Sequence, residues 1–223
     1  MLLSASDAPR VAEVLVGLGA VRIAADQPFF YTSGWASPVY VDAQVLMSDV
    51  ALRGEIMDIA ARAVAPVVES GRINAIVGTE SSGIAFAAWL AERLDLPMLY
   101  LRKRPVGWGI SAQLEGRLPA DARVLLVDDV TTDGRSKAGA VAALRQAGPV
   151  VEDVLVLLDY ALYAQQAQTL ADHALRLHAL ASWSHLHEAL LASGQLDAGQ
   201  VAMLADFAAS PVSWSIRHGG TGA

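Results

Sequence analysis

Residues 124–136 read VLLVDDVTTDGRS, and their reading decides the fold. Four apolar residues, Val124 to Val127, run into Asp128 and Asp129; Thr131, Thr132, Asp133 and Gly134 follow, then Arg135 and Ser136. The pattern predicts a buried strand that ends in two carboxylates and opens on a small, hydroxyl-rich turn before a helix. Such a turn offers backbone N–H groups and hydroxyls to a phosphate, and the helix dipole favours the anion. The two acids can bind the hydroxyls of a phosphorylated sugar, or its magnesium ion. The plainer alternative is an acidic strand end followed by an ordinary Ser or Thr cap. Neither the Walker A nor the dinucleotide glycine pattern occurs, so the two commonest phosphate loops are absent.

Outward from this stretch, apolar runs alternate with helical patterns. Strands are predicted at Ile73–Val77, Pro97–Leu101, Val124–Val127 and Val151–Leu158, with helices at Gly83–Leu94 and Ser136–Gln146 between them. Strands this apolar, separated by helices of this length, imply a parallel sheet covered on both faces. In such sheets ligands sit beyond the C-terminal strand ends. The loops 78–83, 102–110 and 128–136 all fall there. Before this core come a helix at 7–19, a strand at 20–24, two short strands within Phe29–Asp42, and a long helix at 49–69. After Tyr160 the chain reads as helical and Ala-rich, with helices at 183–193 and 196–208.

Composition narrows the chemistry. There are no cysteines, which excludes disulfides, thiol nucleophiles and cysteine-held zinc. Lysine occurs only at 103 and 137. The net charge of −7 argues against a nucleic-acid partner. No apolar run is long enough for a membrane span, and no signal peptide is evident, so a cytoplasmic protein is the expectation. The five histidines lack metal-ligand spacing and read as surface or packing residues.

Two further segments carry site chemistry. Gly78-Thr79-Glu80-Ser81-Ser82-Gly83 joins a strand to a helix, where its N–H groups can hold diphosphate oxygens or Ser81 or Ser82 can simply cap the helix. Arg102-Lys103-Arg104 follows another strand and can neutralise diphosphate charge, or form a solvated rim. Gly107 and Gly109 give the next segment the freedom of a closing loop. Trp35 and Trp108, in glycine-containing loops, are candidate ligand contacts.

Together these segments resemble the type I phosphoribosyltransferases, and within them the orotate-using branch. VLLVDDVTTDGRS is similar to that superfamily's diphosphoribosyl motif, and SGWASPVYVD at 33–42 resembles the branch's N-terminal motif. GTESSGIAFAAWLAERLDLPMLYLRKRPVGWG at 78–109, LEG at 114–116 and the C-terminal SPVSWSIRHGG extend the likeness over most of the chain. The resemblance implies an α/β fold of the type I phosphoribosyltransferase kind. A parallel-sheet core at 46–165 would carry a hood made of 1–45 and a C-terminal helical segment at 166–223. It implies transfer of a phosphoribosyl group from phosphoribosyl diphosphate to orotate, a step of pyrimidine synthesis, with Mg2+.

The residue roles it implies are these. Asp128 and Asp129 bind the ribose hydroxyls, and the metal mainly through substrate and water. Thr131, Thr132, Asp133, Gly134, Arg135 and Ser136 hold the 5′-phosphate. Thr79, Glu80, Ser81 and Ser82 line the diphosphate, with Arg102 and Lys103 as its cations; Lys103, Asp129 and Arg102 serve catalysis. A homodimer with shared sites is implied, the segment 104–112 reaching the neighbouring subunit. The chain departs from the pattern in having Val106 in place of a loop lysine, Trp108 and Ile110 nearby, Ala43-Gln44-Val45 after Asp42, and Thr32 and Tyr160 at places often basic. A related transferase with another base, or a ligand-sensing regulator without turnover, stands as the alternative.

Overall fold

The computed structural model describes residues 6–105 and 113–222. Its centre is a six-stranded sheet built from β5 (Ala75–Thr79), β6 (Met98–Leu101), β7 (Leu114–Glu115), β8 (Arg123–Thr131), β9 (Val150–Asp159) and β10 (Arg176–Ser182). The spatial order is β10-β9-β8-β5-β6-β7, parallel throughout except for β7, which pairs antiparallel with β6. β5 is buried along its whole length, as expected for a central strand covered on both faces.

The helices close the faces. α2 (Val50–Glu69) starts where the Asp49 carboxylate accepts from the Leu52 N–H at 2.9 Å. α3 (Ser82–Leu94) is drawn hard against the sheet by two glycines. A side chain at Gly78 would collide with the start of α3, and one at Gly83 with the Val127 carbonyl. α4 (Arg135–Gln146) follows β8, with Gly134 at φ +79° making the turn that a larger residue resists.

The N-terminal part, α1 (Asp7–Gly17), β1 (Val21–Ile23), β2 (Phe29–Phe30), β3 (Ala36–Ser37) and β4 (Val39–Val41), forms two small antiparallel sheets outside the main one. The C-terminal part adds α5 (Gln165–Asp172), α6 (Trp183–Ala192), α7 (Ala198–Ala209) and α8 (Pro211–Arg217). α1 packs on α6 and β10, and α8 on β3, so the two ends of the chain meet.

Three expectations are corrected. Residues 176–182 lie in the stretch read as helical, yet they form β10, the sheet's outer strand. Their sequence, RLHALAS, has no β-branched residue, and the open edge of β9 is what recruits them. β8 does not stop at Val127 but runs through both carboxylates to Thr131, because β9 continues opposite it, pairing Val130 with Leu158 and Thr131 with Asp159. Phe29–Asp42 holds three short strands rather than two. Val106, Gly107, Trp108, Gly109 and Ile110 lie outside the described residues, as does most of the segment 104–112.

Candidate functional site

The C-terminal ends of β5, β6 and β8 open on one cavity of about 640 Å³, a size suited to a small phosphorylated ligand. The cavity brings together Thr79, Glu80, Ser82, Arg102, Lys103, Asp128, Asp129, Thr131, Thr132, Asp133, Arg135 and Ser136. Of the residues given a binding or catalytic role by the resemblance, Ser81 and Gly134 do not line it, Gly134 shaping the turn instead; Arg104 and Trp35 are also absent from the wall. The rest of the wall comes from the N-terminal part, chiefly Phe30, Tyr31, Thr32, Ser33 and Tyr40, and from Tyr160.

The acidic pair is unequal. One Asp128 oxygen accepts from Ser82 Oγ at 2.8 Å and from the Asp129 N–H at 3.0 Å; the other takes Lys137 Nζ at 2.5 Å. Burial opposes ionisation of Asp128, but the Lys137 charge and these hydrogen bonds hold it below the usual carboxylate range. Asp129 accepts from the Val130 N–H at 2.7 Å and takes part in no salt bridge among the described residues. Burial, and then the neighbouring Asp128 charge, push it up to about 6. Sequence reasoning missed Lys137. The signal was its place in the first turn of α4, from which a long side chain leans back toward the strand end.

The turn 131–136 carries free donor capacity. Thr131 Oγ1 is buried without a hydrogen-bond partner among the described residues, a cost that a bound acceptor would relieve. Asp133, by contrast, is already engaged. Its carboxylate accepts from Trp35 Nε1 at 2.7 Å, from Arg135 Nε at 2.7 Å and from the Arg135 N–H at 3.1 Å. Trp35 is thus not a ligand contact: it is fully buried, absent from the cavity wall, and ties the N-terminal part to the phosphate turn.

On the facing side, Glu80 accepts from the Lys103 N–H at 2.7 Å, joining the β5 and β6 loops. Arg102 pairs with Glu115 at 2.7 Å, and its backbone N–H bonds Gln113 O at 2.7 Å. These contacts close the base of the segment 104–112. The Lys103 side chain is exposed at the rim. At the aromatic end, Tyr31 and Tyr160 share a hydroxyl–hydroxyl hydrogen bond of 2.7 Å, and burial pushes the Tyr31 hydroxyl up to about 12. Both phenols therefore stay neutral donors near neutral pH.

The histidines serve packing and pairing. His178 Nε2 sits 2.7 Å from Asp153, His187 stacks on Trp183, and His218 on Trp214. No cluster of three or more His, Cys, Asp or Glu that could hold a metal occurs among the described residues. No helix in them is long and apolar enough to cross a membrane.

Residues 52–172 match the family described as the phosphoribosyl transferase domain. The chain is 40% identical over 210 residues to an orotate phosphoribosyltransferase of Rhizobium etli, covering 94% of this chain and 91% of that one. It is 37% identical over 210 residues to an orotate phosphoribosyltransferase of Rhizobium rhizogenes, covering 94% and 90%. The crystal structure of orotate phosphoribosyltransferase from Aeropyrum pernix superposes with a TM-score of 0.69 at 33% identity, over 81% of this chain and 97% of that one.

Proposed function

This chain belongs to the orotate phosphoribosyltransferase family, and from that premise we propose how its residues carry out the family's reaction. The enzyme transfers a 5-phosphoribosyl group from phosphoribosyl diphosphate to orotate, giving orotidine 5′-monophosphate and diphosphate. The C1–O bond breaks with its electron pair leaving on diphosphate. N1 of orotate supplies the pair for the new C1–N1 bond and gives up its proton.

The observation that carries the assignment of roles is the cavity that holds both anion loops and the acidic pair between them. The 5′-phosphate takes the 131–136 turn, where the Thr131 hydroxyl awaits an acceptor beside the start of α4, whose dipole favours an anion. The diphosphate takes Thr79–Ser82, with Lys103 and Arg102 as cations on the opposite loop. Asp129 faces the ribose as the carboxylate without a cationic partner of its own. Orotate lies among Phe30, Tyr31, Tyr40 and Tyr160, whose rings offer flat apolar contact.

The donor set fits a magnesium ion held mostly by substrate oxygens and water, with Asp129, and Asp128 behind it, as the protein carboxylates. Such an ion would neutralise charge on the leaving diphosphate. The protein's own share is positioning of the two partners, donors aimed at the diphosphate, and exclusion of water by the aromatic wall. The hood over the acceptor comprises residues 1–45 with helices from 166–223, placed on a core at 46–165. A homodimer with shared sites is the assembly this reading expects.

The test is orotidine 5′-monophosphate formation from orotate and phosphoribosyl diphosphate, with and without magnesium. Magnesium-dependent turnover that collapses in Asp129→Ala and Lys103→Ala is the expected result. Binding of phosphoribosyl diphosphate without turnover of orotate would overturn the reading. Sedimentation at micromolar concentration tests the dimer, which a monomer contradicts.

A further inference from the structure

Lys137 is one of only two lysines in the chain, and at 4% exposure it is a buried charge. It stands in the first turn of α4, where the helix dipole disfavours a cation. Taking an ammonium out of water costs more again. Such an arrangement persists when the geometry demands it, and here Lys137 Nζ meets Asp128 Oδ2. The opposite oxygen of that carboxylate meets Ser82 Oγ at 2.8 Å. Lys137, Asp128 and Ser82 form a continuous bridge from the start of α4 to the start of α3. Those helix starts carry the two anion loops, 131–136 and 79–82, and Gly83 already presses α3 against β8 at the same level.

We propose that the Lys137–Asp128–Ser82 bridge is a positioning device that sets the distance between the two anion loops, and so selects a ligand carrying two anionic groups across one ribose. The proposal rests on the assignment of the loops made above. Its physical basis is linkage: when one anionic group is seated, the second binds at a high effective concentration only if the loops are spaced to match. Relaxing the spacing removes that advantage while leaving each loop able to hold its own group. The bridge also explains why the acidic pair is unequal, since Asp128 is tied to Lys137 and Ser82 while Asp129 takes part in no salt bridge among the described residues.

Calorimetry on the full chain with magnesium tests this, using phosphoribosyl diphosphate, ribose 5-phosphate and inorganic diphosphate as separate ligands. In Lys137→Met the affinity for phosphoribosyl diphosphate should fall roughly 10–100-fold, the usual cost of removing a group that orients a site residue. The two half-ligands should each change by much less, and Lys137→Arg should recover part of the loss. Lys137→Met alone leaves a buried unpaired carboxylate and can unfold the chain. Lys137→Gln keeps a hydrogen-bond donor for Asp128 but removes the charge that sets the bridge, and it should show the same selective loss in a folded protein. An equal loss on all three ligands would mean that Lys137 acts only as a point charge, and the proposal falls. It falls equally if no ligand weakens. Failure of the unaltered protein to bind phosphoribosyl diphosphate overturns the functional reading itself, which separates the two.

Discussion

Two buried carboxylate centres lie on adjacent strands at opposite ends of the sheet, and they are finished differently. Asp153, near the start of β9, is 2% exposed and has three cationic or ring partners. Arg176 reaches it at 2.8 Å, His178 at 2.7 Å and Arg72 at 3.2 Å. Burial works against its charge, yet hydrogen bonds from His178 and Arg176 hold it well below the usual carboxylate range. The acidic pair at the end of β8 has two carboxylates and one lysine. Asp129 is consequently pushed up to about 6, by burial and by its neighbour's charge. A centre whose charges are all answered holds strands together. A centre left short of donors and cations holds a place for something else.

The sharpest way to break this comparison is to empty the finished centre. Asp153→Ala removes the carboxylate shared by Arg176, His178 and Arg72 and should cost about 1.5–3 kcal/mol of stability, the scale of hydrogen bonds to a charged group, because Arg72 and Arg176 are half-exposed and Arg176 keeps Glu152. Chemical denaturation measures the loss, while kcat of the folded fraction should stay near that of the unaltered protein. A large fall in kcat without loss of stability would show that the far end also serves the reaction.

Emptying the unfinished centre should do the reverse. Asp129→Asn should lower kcat/KM by roughly 10²–10³, the scale of losing one group matched to the transition state. Its thermal midpoint at pH 8 should be no lower than that of the unaltered protein. The sign follows from linkage. A carboxyl whose folded pKa is raised contributes stability below its unfolded value and loses that contribution as pH rises through about 6. A destabilised Asp129→Asn at pH 8 would contradict the assignment.

The seam between the two ends of the chain offers a smaller effect. Trp35→Phe keeps an aromatic ring, smaller than the indole, but removes the Nε1 donor to Asp133, a hydrogen bond to a buried carboxylate worth about 1.5–3 kcal/mol. Arg135 remains on Asp133, so the chain should fold, with a lower thermal midpoint and weaker phosphate binding. Unchanged affinity for ribose 5-phosphate would detach Trp35 from the phosphate turn.

Acid titration sharpens the contrast most gently. Because the folded pKa of Asp153 is depressed, its contribution is present above the unfolded carboxylate value, about 3.9, and fades as pH falls below it. The midpoint of the unaltered protein should therefore fall more steeply as pH drops from about 4 to about 2 than the midpoint of Asp153→Asn. Parallel slopes would remove Asp153 from the list of acid-sensitive groups.

Much of this molecule is legible in its sequence because the signals are local. The apolar runs ending at Thr79, Leu101 and Asp159, the glycines at 78, 83 and 134, and the hydroxyls of 131–136 specify strand, turn and helix over a few residues. From those, the parallel sheet and the loops at its C-terminal edge follow. What escaped is what depends on a distant partner. RLHALAS becomes a strand only because β9 offers it an edge. Trp35 leaves the cavity wall because its Nε1–H donates a hydrogen bond to Asp133, 98 positions away.

Amino-acid order alone thus determined which elements form, where the anion loops sit and to which family the chain belongs. Only the tertiary structure decided which carboxylate is answered. Whether Lys137 meets Asp128 or Asp129 turns on distances of a few ångströms and on how much water remains, and packing sets both.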